Sequence, residues 1–326
     1  MRKRESALLI GGTLTGMGVV ANVLALGCIY QNFVRRAPKV NPGTIESVDE
    51  MHIDYLRRKA LSWIHDQEAE NLEIRSFDGL TLKGVYIHNS EAVRKDGDPI
   101  NLVILSHGYG GSGYKDMLLF TDFYRRQGYD IIIIDQRSHG KSEGSVITFG
   151  ALEKDDIAEW VRLAIEKCGG NCKIILHGWS MGAAACYLAA AMGLPSQVKG
   201  IVYDCGYSVA EGEFFHIAKS SINLPKTLLW YVLQFMKPWC KFLCGFDMKD
   251  ASPLFVSRKM RLPIFFVHGT KDSCVPIWMG HRLYEATYKT PYRDFLNVVG
   301  ADHTYSYIHN KEGYEKGILR LMDACM

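Results

Sequence analysis

Lys173-Ile174-Ile175-Leu176-His177-Gly178-Trp179-Ser180-Met181-Gly182 is the stretch on which the reading of this chain turns. Its first half is a short apolar run that predicts a strand. Its second half reads G-x-S-x-G, and the Ala- and Leu-rich residues 183–192 that follow predict a helix. A serine at so tight a strand-to-helix turn is held in a strained backbone conformation. Glycines flank it because strand and helix approach too closely for a β-carbon. The hydroxyl then stands at the carboxyl end of a sheet beside a helix amino end, where developing negative charge is favoured. The pentapeptide alone also fits a glycine-rich turn with an inert serine, so the surrounding chain has to decide.

The surroundings alternate between strand and helix. Apolar runs at 72–76, 80–88 and 101–106 predict strands, the first two joined through Phe77-Asp78-Gly79 as a hairpin. A helix is expected over 114–127. The four isoleucines of 130–135 read as a strand buried on both faces. A helix over 152–168, strands at 200–204, 262–268 and 294–299, and helices over 278–288 and at the C-terminus complete the pattern. Such βαβ alternation implies an α/β fold, a mostly parallel sheet with helices on both faces. The interval 204–262 breaks the pattern, and Trp230, Tyr231, Phe235, Trp239, Phe242 and Phe246 crowd its middle. It reads as a helical cap at about 208–246 inserted over the sheet edge. An enlarged crossover packed on the core is the alternative.

Composition bounds the rest. The chain has 326 residues, is 48% hydrophobic and 22% charged, and carries a net charge of +3. So weak a charge excludes nucleic-acid binding as its main purpose. Residues 6–34 contain no charged residue, between Arg2-Lys3-Arg4 and Arg35-Arg36. A bilayer-crossing helix needs about 20 residues. The reading therefore divides the chain into a membrane anchor and linker, 1–40, and a single domain, 41–326. A cleaved signal or lipoprotein segment and a buried soluble helix are the alternatives. A short basic tail of this kind usually stays in the cytoplasm, which would place the domain outside the cell membrane. Residues 45–70 read as an amphipathic helical linker. The nine cysteines form no dense disulfide framework. Cys168 and Cys172 could pair across a turn, whereas Cys240 and Cys244 are poorly spaced for it. No group of His, Cys and carboxylates has metal-site spacing, so neither metal nor cofactor is expected.

Five motifs then fall in order: Ser106-His107-Gly108-Tyr109-Gly110-Gly111, Asp135-Gln136-Arg137-Ser138-His139-Gly140-Lys141-Ser142-Glu143-Gly144, the G-x-S-x-G turn, His268-Gly269-Thr270-Lys271-Asp272 and Gly300-Ala301-Asp302-His303. From about residue 70 to the end the chain resembles an α/β-hydrolase. It is most similar to bacterial membrane-anchored hydrolases of the BEM46-like, serine-aminopeptidase-like kind.

The resemblance implies a chain order of nucleophile, acid, histidine. Ser180 is the expected nucleophile. His303 is the expected base, with His309 as the nearby alternative. Asp272 is the expected acid, and Asp204, after the preceding strand, competes for that place. Asp302 is too close in sequence to reach around the ring. The backbone N–H groups of Tyr109 and Met181 are expected to form the oxyanion hole. Arg137, His139 and Lys141 are expected to brace the loop beneath the site. The implied activity is a serine hydrolase that cleaves an ester or related acyl bond, with a small-molecule or lipid-like acyl substrate and an aromatic cap over it. Thioesterase and aminopeptidase activities stay open. A catalytically silent membrane-anchored binding protein is the reading from another class, and it is disfavoured because no member of the Ser, His and acid set is missing.

Overall fold

The computed structural model describes residue 27, residues 34–35, 48–67, 69–221 and 225–325. Eight strands form one sheet: β1 (Ala69–Arg75), β2 (Thr81–Ile87), β3 (Ile100–Ser106), β4 (Asp130–Ile134), β5 (Cys172–Trp179), β6 (Val198–Asp204), β7 (Ile264–Gly269) and β8 (Arg293–Val298). Their order across the sheet is β1-β2-β4-β3-β5-β6-β7-β8. β1 and β2 form an antiparallel hairpin, and β2 lies antiparallel to β4. From β4 onward every pairing is parallel. The chain steps outward from β3 to β4, then returns to place β5 on the other side of β3. A crevice opens at the carboxyl ends of strands where the order reverses in this way, and ligands of open α/β sheets bind there.

The strands alternate their side chains between two cores. Ile132 and Ile134 join Leu102, Ile104, Ile174 and Leu176 on one face. Ile131 and Ile133 join Val103, Leu105 and Ile175 on the other. Burying each isoleucine is worth about 1.5–3 kcal/mol, which explains why a continuous apolar run can only be a central strand here. Helices α2 (Glu153–Lys167) and α3 (Met181–Gly193) cover the first face. Helix α1 (Val48–His65), the aromatic turn around Phe120 and the C-terminal helix (Lys311–Ala324) cover the second. Residues 114–127, expected as one helix, divide into Gly113–Asp116, a 3₁₀ turn Met117–Phe120 and Thr121–Arg126. All four side chains of that turn are buried, so packing rather than helical periodicity sets its shape.

The interval between β6 and β7 includes two long helices, α4 (Ala210–Ser221) and α5 (Lys226–Leu243), followed by the short turns Pro253–Val256 and Ser257–Lys259. The two long helices close a third apolar cluster at the carboxyl end of the sheet, which includes Ile147, Phe149, Met181, Phe214, Cys240 and Phe246. Val34 belongs to it and is fully buried. Its carbonyl accepts a hydrogen bond from the Ile147 amide, and Arg35 forms a β-bridge with Val146. Val34 and Arg35, which the expected division at residue 40 gives to the anchor and linker, thus pack with the domain. Apart from residues 27 and 34, the uncharged run 6–34 lies outside the described residues. Among the described residues no helix is long and apolar enough to cross a membrane. Cys168 and Cys172 are free thiols rather than a disulfide.

Two expectations follow from the packing. Val34→Ala should cost about 2 kcal/mol in urea unfolding, because two buried methyl groups are lost and a void is left. An unchanged midpoint would place Val34 outside the core. Gly182→Ala should be worse tolerated, since its β-carbon would fall inside contact distance of the Ser106 and His107 carbonyl oxygens.

Candidate active site

The turn after β5 positions Ser180. Its backbone sits at φ 54° and ψ −115°, a conformation that costs energy for any residue with a β-carbon. The strain is held by neighbours that leave no alternative. A β-carbon on Gly178 would collide with Gly182 and Ala183, and one on Gly182 with the end of β3. The Ser180 amide donates to the Asp204 carbonyl at 2.8 Å. Strand β5 and helix α3 can therefore meet only through this bend, which pushes the Ser180 side chain up at the helix amino end.

His303 reaches the serine from the loop after β8. Its Nε2 lies 3.0 Å from Ser180 Oγ, and its Nδ1 lies 2.8 Å from Asp272 Oδ2. Asp272 stands in the loop after β7, and its side chain is fully buried. Its Oδ1 accepts the backbone N–H groups of Cys274 and Val275, at 3.0 and 2.7 Å. His268 Nε2 lies 3.1 Å from Oδ2. Burial alone would raise this carboxyl, but the hydrogen bonds from His268 and His303 outweigh it and hold the pKa at about 2. Asp272 is thus a fixed negative charge behind the imidazole, suited to orient the ring and stabilise its protonated form.

The other acidic candidates have different partners. Asp204 Oδ2 accepts from the Tyr314 hydroxyl at 2.7 Å. Tyr314 continues to His177 Nε2 at 3.0 Å, and His177 Nδ1 to the Tyr124 hydroxyl at 3.0 Å. Burial pushes Asp204 up to about 7. Asp302 Oδ1 instead binds the Ser273 amide and hydroxyl, both at 2.8 Å, and the His303 amide at 2.7 Å. It ties the loop that carries the histidine to the loop that carries the acid. His309 sits beside Asp49, away from the serine.

The loop after β3 faces Ser180, and Gly108 stands close enough that a β-carbon there would press on the Ser180 side chain. Two histidines shape the loop. Buried His107 accepts the Gln136 amide on Nε2 at 3.0 Å, with Nδ1 2.7 Å from the Gly108 carbonyl. His139 Nε2 accepts the Gly110 amide at 3.1 Å, and its Nδ1 lies 2.8 Å from the Arg137 carbonyl. Both rings are thereby fixed as neutral tautomers that hold the backbone around Tyr109. Arg137 is buried and forks onto Asp156 at 2.6 and 2.7 Å and onto Asp78 at 2.9 and 3.2 Å, far from reacting atoms.

A cavity of about 430 Å³ opens above the serine. Tyr109, Phe149, Trp179, Met181, Tyr207 and His303 line it below, and Glu213, Phe214 and Ile217 of α4 line it from above. Ile53 and Arg57 of α1 complete a wall, although the sequence presents that helix only as a linker. Among the described residues none of the aromatic side chains of α5 lines the cavity. Trp230, Tyr231 and Phe242 are instead exposed at the surface, and the cap residues that line the cavity come from α4. Among the described residues one set of potential metal ligands clusters, Cys205, Asp272 and His303, and two of the three already belong to the hydrogen-bonded series at Ser180.

The comparisons agree with this architecture. A family model described as alpha/beta hydrolase fold matches residues 101–237. The chain is 26% identical over 308 residues to the uncharacterized protein YqkD of Bacillus subtilis, spanning 94% of each. It is 27% identical to the uncharacterized membrane protein YNL320W of Saccharomyces cerevisiae over 194 residues, 59% of this chain and 61% of the yeast protein. The Pyrococcus furiosus esterase Pf2001 superposes with a TM-score of 0.65 at 20% identity, covering 90% of this chain and 98% of the esterase. The chain has the α/β-hydrolase fold, and residues 101–237 match that family's model.

The buried acid Asp204 has a consequence for stability. Its folded pKa of about 7 lies above its ordinary value of 3.8, so between those values the folded state holds more protons than the unfolded one. Its contribution to stability is present at low pH and is lost as pH rises toward 7. Asp204→Asn should flatten that part of the fall in urea midpoint between pH 4 and 7. A variant that falls as steeply as the parent would show that Asp204 titrates normally.

Proposed function

We propose that this protein is a serine hydrolase that cleaves an ester or related acyl bond through Ser180, His303 and Asp272. One observation carries the reading: the unbroken series from Ser180 Oγ to His303 Nε2 at 3.0 Å and from His303 Nδ1 to Asp272 at 2.8 Å. A serine hydroxyl is a poor nucleophile until a base removes its proton. In the proposed reaction Oγ attacks the acyl carbon and its proton passes to His303 Nε2. The carbonyl oxygen gains negative charge beside the amides of Tyr109 and Met181, the expected oxyanion hole. His303 then gives its proton to the leaving oxygen as the carbon–oxygen bond breaks. Water, deprotonated by the same nitrogen, releases the acyl group from Ser180.

Helices α4 and α5 act as a cap in this reading, with Phe214 and Ile217 against the acyl chain. The uncharged run ahead of Val34 serves as a membrane anchor, with the domain outside the cytoplasm. Its length and basic flanks support this, as does the membrane description of the yeast relative. Full-length protein should resist alkaline carbonate and dissolve in detergent, and protease added to intact cells should digest the domain. Recovery in the soluble fraction would sink the anchor, and protection until lysis would reverse its orientation.

Ser180→Ala and His303→Ala should each lower kcat on a p-nitrophenyl ester by roughly 10⁴-fold or more, and Asp272→Asn somewhat less. Parent-like turnover by Asp272→Asn, with an inactive Asp204→Asn, would move the acid to Asp204. Phe214→Ala should shift kcat/KM toward longer acyl chains, at about 1–3 kcal/mol per methylene of altered fit. An unchanged chain-length profile would make Phe214 a packing residue only.

A further inference from the structure

Glu213 has no part in the reaction just described, yet it lines the same cavity as Ser180 and His303. The side chain hangs from α4 and is only 5% exposed. Its Oε1 receives one long contact, from the Cys274 thiol at 3.7 Å. Its Oε2 is buried with no hydrogen-bond partner among the described residues. Phe149 and Phe214, packed edge to face at 4.4 Å, line the cavity beside it. The Tyr207 hydroxyl nearby is already committed to the Phe149 carbonyl. Burial, reinforced by the negative charge of Asp272, pushes the Glu213 carboxyl up to about 8, so at neutral pH it keeps its proton. A buried polar group without a partner costs folding free energy, and such groups cluster where a ligand completes them.

Its position says which part of a substrate it would meet. Cys274 lies two residues after Asp272, so Glu213 stands on the His303 side of Ser180. His303 must hand its proton to the leaving oxygen, which places the leaving alcohol on that side as well. We propose that Glu213 is a binding residue that donates a hydrogen bond from its protonated carboxyl to an uncharged ether or hydroxyl oxygen of the leaving alcohol, so that the site selects esters of alkoxy and hydroxy alcohols. The inference rests on the hydrolase reading above. A cationic alcohol fits less well, because an ion pair enclosed by aromatic rings desolvates both charges.

The test compares butyl butyrate with 2-methoxyethyl butyrate, which differ by one methylene exchanged for oxygen. Acid release gives kcat/KM for each, and the ratio between them cancels effects on the chemical step. The parent should favour the methoxyethyl ester. Glu213→Leu should lower that ratio about tenfold, the worth of one well-placed hydrogen bond. Glu213→Gln, which keeps a neutral donor of the same shape, should retain most of the preference. Glu213→Leu should also raise the urea midpoint at pH 7, whereas a packing role predicts a lower midpoint and an unmoved ratio. A ratio that changes less than twofold in Glu213→Leu overturns the proposal. So does a Gln variant that behaves like Leu, or a parent preference for butyrylcholine over both esters. The two readings fail separately: no acid release from any ester counts against the hydrolase itself, whereas turnover with an indifferent Glu213 counts against this inference alone.

Discussion

Close backbone contact between β5, α3 and the end of β3 is the constraint on which the rest of the site depends. Gly182 presses against the carbonyl oxygens of Ser106 and His107, and Gly178 against the first turn of α3. No side chain fits between these segments, so the chain can turn from strand to helix only through a residue at positive φ, and that residue is Ser180. The same contact brings the loop after β3 against the serine. One steric condition thus supplies a raised hydroxyl, a helix amino end and a neighbouring loop of backbone amides. The histidine and the acid come from strands further along the sheet. Asp302 aligns their two loops by binding Ser273 and His303 at once. Strain at Ser180 and the buried charge of Asp272 are both unfavourable alone, and the surrounding sheet holds each in place.

Much of this was legible in the sequence because it is written in local patterns. Continuous apolar runs marked β3, β4 and β5, and the glycine spacing around Ser180 marked the bend. Ser180, His303 and Asp272 stand together where the order of motifs placed them, and Asp204 turns instead to Tyr314. What was not legible depends on contacts between distant segments. Glu213 is one acid in an amphipathic helix, and no spacing marks it as buried. Helix α1 reads as a linker because its charged residues alternate with apolar ones, yet Ile53 and Arg57 reach the cavity. Val34 sits at the end of an uncharged run that hides its role in the core. The aromatic run of α5 drew attention by composition, but composition cannot say that α4 would take the place next to the serine.

The site also sorts its acids by environment. Asp272 receives two backbone amides and two imidazoles and stays ionised. Asp204 and Glu213 are buried with fewer partners, and both are pushed toward the neutral form. Asp272 is the carboxylate in direct contact with the His303 ring, so it is the acid placed to stabilise the protonated imidazole.

The most direct measurement of the central claim is the site of covalent modification by an alkyl fluorophosphonate, read by mass spectrometry of the digested protein. The account predicts one adduct on the peptide that contains Ser180, formed by the parent and absent after prior replacement of His303 by alanine. Failure of the parent to react, or an adduct on another residue with Ser180 unmodified, would contradict it.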